Sequence, residues 1–208
     1  MPSAKLWGGL FGPSAGISDE DSVVLVIGPS GSGKSEFINI ATRSTKMVVH
    51  HGLESGTLQV QSASCPSPLN KRRGVVFVDT PAFDNNWASI AEVERRIRHW
   101  LEKNGKRNNT ISGILYLHRI SDARMTIPPL ASLSRLGDLC KGGDIGEKIY
   151  LLTTMWNEKN KKVGAQREVE IKQKYWAEMI SQGSKVFRFE RTHESAWRVV
   201  NALLHLEE

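Results

Sequence analysis

Cysteine is scarce in this 208-residue chain: Cys65 and Cys140 are the whole complement. Two thiols make no disulfide framework, so the expectation is a reducing, cytoplasmic setting. Both read as plain structural thiols rather than nucleophiles. No apolar run approaches the roughly 20 residues that a membrane-spanning helix needs. The opening MPSAKLWGGLFGPSAG lacks the charged start and apolar centre of an export signal. Internal repeats are missing as well. Positive charge is in excess, at net +6, but it is not concentrated in one place. It is spread over Lys71 to Arg73, Arg95 to Arg98, Lys103 to Arg107 and Lys159 to Lys162. With no aromatic residues interleaved among these cations, a nucleic-acid surface is not indicated. A ligand carrying phosphate accounts for a basic balance equally well.

What the sequence does contain is alternation. Residues 1–20 are rich in Gly, Ser and Pro and have no period, so they read as a flexible arm, with Trp7, Leu10 and Phe11 available to a partner. From residue 21 to 208 a single domain is expected. Short apolar, β-branched runs occur at 23–27, 58–63, 74–79, 111–117, 148–153 and 185–189. Amphipathic stretches of helical length separate most of them. In SIAEVERRIRHWLEK, Ile90, Val93, Ile97, Trp100 and Leu101 form one stripe. QREVEIKQKYWAEMISQ and ESAWRVVNALLHL follow the same rule. Apolar strands alternating with helices predict an α/β fold of three layers: a mostly parallel six-stranded sheet with helices on both faces. Ligands of such sheets bind beyond the carboxyl ends of the strands.

Immediately after the first apolar run stands Gly28-Pro29-Ser30-Gly31-Ser32-Gly33-Lys34-Ser35, which fits G-x-x-x-x-G-K-[ST] with a strand before it and a helix after it. Backbone N–H groups of such a loop converge on an anion, and the helix that follows adds its positive end. Glycines let the backbone approach phosphate oxygens. Lys34 is placed for the β- and γ-phosphates, Ser35 for Mg²⁺, and Glu36 follows them at the helix start. The apolar run 74–79 ends in Asp79, a second candidate Mg²⁺ ligand, directly or through water. The motif and its context together indicate a bound nucleoside triphosphate.

Four further blocks, HGLESGT, VDTPAFD, LYLHRISDARM and LLTTMWN, accompany that loop. With it, they make the chain resemble TRAFAC-class GTPases, in particular the septin-like and immunity-associated (IMAP-type) groups and the fungal G-domain proteins, over roughly residues 22 to 205. The resemblance implies a Mg²⁺-dependent P-loop triphosphatase, GTP being the first candidate substrate, that acts as a nucleotide-dependent switch. It makes Thr57 the threonine that closes over the metal, with His50 and His51 nearby. It also makes Ala82 the residue whose N–H meets the γ-phosphate. Thr154, Met155 and Asn157 then occupy the place of a guanine-reading N-K-x-D. Asn157 departs from that pattern, because an amide has one acceptor oxygen where a carboxylate has two. ATP or a relaxed base preference therefore stays open beside GTP. After the sixth strand Arg191 or Phe189 is placed to stack on the base.

Ras-like enzymes orient water with a Gln soon after D-x-x-G; here that place holds Phe83. The resemblance supplies a substitute in Arg119, reaching a partner's phosphates across a nucleotide-dependent homodimer, with Arg124 as the reserve. A switch that scarcely hydrolyses and presents a surface to a protein effector is the competing expectation. A phosphotransferase is a weaker one, since VDTP argues against it.

Overall fold

The computed structural model describes residues 17–18, 20–45, 47, 60–82, 90–104, 111–122, 133, 136–140 and 144–206. The first strand is β1 (Ser22–Ile27), buried along its whole length. It is followed by α1 (Lys34–Thr42), β2 (Gln61–Pro66), β3 (Gly74–Asp79), α2 (Ile90–Lys103) and β4 (Gly113–Arg119). The rest is α3 (Ile145–Lys148), β5 (Ile149–Thr154), α4 (Lys161–Glu170), a π-helical turn (Ile171–Tyr175), α5 (Ala177–Ser181), β6 (Val186–Arg188) and α6 (His193–Leu203).

The six strands form one sheet in the order β2-β3-β1-β4-β5-β6. All neighbours are parallel except β2, which runs antiparallel to β3. The central strands are apolar end to end because both faces are covered. On one face Phe37, Ile38 and Ala41 of α1 and Trp197, Val199, Val200 and Leu203 of α6 pack over Val24, Phe77 and Leu117. On the other, Val93, Ile97 and Leu101 of α2 join Leu133, Leu136, Ile171, Trp176 and Met179 over Leu25, Val78 and Ile114. The expected three-layer α/β architecture is what the chain adopts.

Two local departures have physical reasons. The apolar run at 58–63 predicts a strand there, yet the strand lies at Gln61–Pro66 and is polar. As an edge strand it buries few of its side chains, Ala63 among them, so it needs no apolar run. The stretch from 166 to 182 does not form one amphipathic helix either: the π turn resets its phase, and Val169 is 53% exposed. Of the flexible arm expected at 1–20, residues 1–16 and Asp19 lie outside the described residues, as do Thr57, His50, His51, Phe83 and Arg124, while Ile17 packs on the core and its N–H donates to Asn104 O at 3.0 Å.

Candidate nucleotide-binding site

Beyond Ile27 the chain enters the Gly-rich loop in a conformation few residues can adopt. Gly28 has φ +148°, and a Cβ there would lie 2.3 Å from the Leu117 carbonyl oxygen of β4. The loop therefore packs directly on a neighbouring strand, and glycine is required at its entrance. It closes around Lys34, whose Nζ donates to the carbonyl oxygens of Gly28 (2.9 Å) and Pro29 (3.0 Å). The amide of Ser32 donates to Pro29 O at 3.2 Å, and Gly33 caps α1 with φ +88°. A buried ammonium enclosed by a short loop at a helix N-terminus is a positively charged concavity suited to phosphate.

Facing it, Ser35 Oγ donates to Asp79 Oδ2 at 2.5 Å. Asp79 is fully buried at the end of β3, in register with Val26 of β1. Thr80 Oγ1 ties the following residue to Val26 O at 3.2 Å, and Ala82 is 8% exposed just beyond. A hydroxyl and a carboxylate brought together beside a phosphate cradle are hard oxygen donors of the kind Mg²⁺ takes, so these residues fit that ion. Among the described residues no group of three His, Cys, Asp or Glu side chains could hold a metal.

The strand-end segment from Thr154 is bolted to the same loop. Thr154 Oγ1 donates to Ser32 O at 2.9 Å and is buried, so it supports the phosphate loop and does not face a base. Met155 adopts φ +60°, a left-handed conformation uncommon for a residue with a side chain, and its methyl lies against Gly33. Asn157 and Asn160 form a reciprocal pair: each side-chain oxygen accepts from the other's backbone N–H at 2.9 Å. Asn160 Nδ2 also donates to Met155 O at 2.8 Å.

Under this segment lies a pedestal that sequence patterns do not announce. Trp156 Nε1 donates to Thr153 Oγ1 at 3.1 Å, and Thr153 Oγ1 donates to Glu168 Oε1 at 3.2 Å. Arg188 clamps Glu168 with its Nε (3.1 Å) and Nη2 (2.6 Å) while its guanidinium lies 4.2 Å from the Trp156 ring centre. Burial pushes the Glu168 carboxyl up, but the Arg188 hydrogen bonds and the Lys172 charge prevail and hold it below its usual range.

Two arginines flank the cradle. Arg191, also left-handed at φ +59°, pairs with Glu36, linking the β6–α6 turn to the first turn of α1. Arg119 Nε donates to Asp122 Oδ2 at 2.9 Å, and a Cβ on Gly31 would lie 2.9 Å from its Nη1. The guanidinium thus overhangs its own phosphate loop. Phe189 cannot stack on a base as expected, because it is 1% exposed and packs edge-on against Phe37 at 5.0 Å. Burial pushes the Cys65 and Cys140 thiols up to about 11 and about 12, which leaves neither nucleophilic.

No protein-family model and no curated protein matches this chain. Solved structures do resemble it. Toc33 from Arabidopsis thaliana in complex with GDP and Mg²⁺ is 17% identical with a TM-score of 0.63, over 89% of this chain and 83% of that one. The same protein with Mg²⁺ and GMPPNP gives 16% and 0.63, over 91% and 87%. Era from Aquifex aeolicus bound to GDP·AlF4⁻ gives 13% and 0.59, over 90% of this chain and 57% of that chain. At such identities the likeness is one of fold alone.

Proposed function

We propose that this chain is a Mg²⁺-dependent P-loop nucleoside triphosphatase that hydrolyses GTP to GDP and phosphate and works as a nucleotide-dependent switch. The observation that carries it is the loop closed around buried Lys34, with Ser35 and Asp79 meeting beside it. The structural neighbours that hold GDP or GMPPNP with Mg²⁺ support the same reading. So do the HGLESGT, VDTPAFD, LYLHRISDARM and LLTTMWN blocks, which favour a place near the septin-like, IMAP-type and fungal G-domain groups. The two unpaired thiols fit a cytoplasmic setting.

Lys34 and the loop amides hold the β- and γ-phosphates and neutralise charge that grows as the bond to the bridging oxygen breaks. A water oxygen bonds to the γ-phosphorus, the bridging oxygen leaves with the diphosphate, and the proton of the water passes to solvent. Ser35, Asp79 and Thr57 would hold Mg²⁺, which supplies charge neutralisation across the phosphate oxygens. The Ala82 amide meets the γ-phosphate, so its loss on hydrolysis releases the segments around Thr57 and Ala82.

Phe83 can orient no water, and Arg119, overhanging the loop, would compensate by neutralising charge that develops at the γ-phosphate. In a twofold dimer packed across the nucleotides, a guanidinium at the rim of one cradle lies near the other. For the chloroplast translocon components atToc33 and psToc159, dimerization is important for GTPase activity. Turnover per subunit is expected to rise with protein concentration and to fall in Arg119→Ala. A flat profile would favour the competing reading, a switch that scarcely hydrolyses and serves a protein effector.

A thermal-shift series with GTP, GDP, ATP and ADP, with and without Mg²⁺, tests the proposal as a whole. Triphosphates with Mg²⁺ should stabilise the fold by about 2.7 kcal/mol at a hundredfold excess over Kd. No shift with any nucleotide would contradict it.

A further inference from the structure

We infer that the base site admits adenine as readily as guanine, because Asn160 turns Asn157 so that it meets the base with hydrogen-bond donors. This rests on the nucleotide-binding reading above and deepens it. A backbone N–H can only donate, so the atom of Asn157 that faces the Asn160 amide at 2.9 Å must be its oxygen. The Asn160 side chain is fixed in turn, accepting from the Asn157 amide and donating to Met155 O at 2.8 Å. Neither amide can flip without losing a hydrogen bond. Asn157 Nδ2 is thereby left on the side away from the turn, with two hydrogens to offer.

The reading edge of guanine carries an N1–H and an amino group, both donors. Opposite Nδ2 they meet donor against donor. Adenine instead presents the N1 acceptor, which one Nδ2 hydrogen satisfies. A carboxylate at this position would keep the turn with one oxygen and offer the other to guanine; asparagine cannot. The phosphate loop grips both nucleotides alike, and the remaining base contacts available to Met155 do not depend on ring substituents. The selectivity that a matched carboxylate confers, about tenfold or more, is absent here.

The test is calorimetric titration of the full chain with Mg·GTP, Mg·ATP and Mg·tripolyphosphate, repeated on Asn157→Asp and Asn160→Ala. Expected are GTP and ATP dissociation constants within about tenfold of each other in the parent. Asn157→Asp should move their ratio about tenfold or more toward GTP while tripolyphosphate binding holds. Asn160→Ala keeps the backbone N–H that binds the Asn157 oxygen and should leave the ratio unmoved. A parent that prefers GTP by more than that, or a ratio unmoved by Asn157→Asp, overturns the inference while leaving the phosphate site standing. Failure of all three ligands to bind the parent overturns both.

Discussion

The loop Gly28 to Ser35 and the loop Thr154 to Asn160 sit side by side at the carboxyl edge of the sheet, but they are held by different means. The first is fixed by backbone: Gly28 presses on the Leu117 carbonyl, and Lys34 donates into its own loop. The second is fixed by side chains: Trp156 rests on Thr153, Glu168 and Arg188, and Asn160 clasps Asn157. Thr154 joins the two through Ser32 O. A loop that backbone geometry dictates tolerates few residue types, so it is stereotyped. A loop that side chains support can be built many ways, and its ligand preference is free to drift.

Breaking each loop should show this difference. Gly28→Val sets a branched side chain where even a Cβ has 2.3 Å of room, and should cost about 3 kcal/mol or more together with all nucleotide binding. Denaturant unfolding and calorimetry would measure both losses. Glu168→Gln strikes the pedestal. Because Arg188 is 41% exposed and can rehydrate, about 1–3 kcal/mol is expected, with nucleotide affinity lowered but tripolyphosphate affinity kept. A variant that loses both affinities equally would erase the distinction between the loops.

The same carboxyl carries a pH signature. Glu168 is held below its unfolded value, so its contribution is complete above the usual carboxylate range and disappears as pH falls through the folded value. The gap in melting temperature between parent and Glu168→Gln should therefore narrow in acid. Thr154→Val removes the tie between loops while keeping shape, and about 1 kcal/mol of stability should go with it. Arg191→Ala is the mildest change. Its pair with Glu36 is largely in water, and an effect below about 1 kcal/mol is expected by chemical unfolding.

How much of this was legible in the sequence follows the same division. The turn from Gly28 to Ser35 between a strand and a helix, and the strand ending in Asp79, were legible, since glycines interrupt the apolar run where the backbone takes positive φ. The layers were legible too, because central strands buried on both faces must be apolar. Strand β2 was misplaced by about three residues, since a half-solvated edge leaves little hydrophobic signal. The pedestal was not legible, because Thr153, Glu168 and Arg188 converge from three separate elements and share no local motif. Asn160 left a trace, an Asn three residues after an Asn before a helix, which is a turn-forming pattern. The stacking role expected of Phe189 failed because an aromatic next to a strand end also serves the core, and here the core claimed it.

The central claim is that Lys34 and its loop form a polyphosphate site. Titration of Lys34→Ala with Mg·GTP tests it most directly, with circular dichroism to confirm the fold. Affinity should fall by about a hundredfold or more; an unchanged dissociation constant in a folded variant would contradict the account.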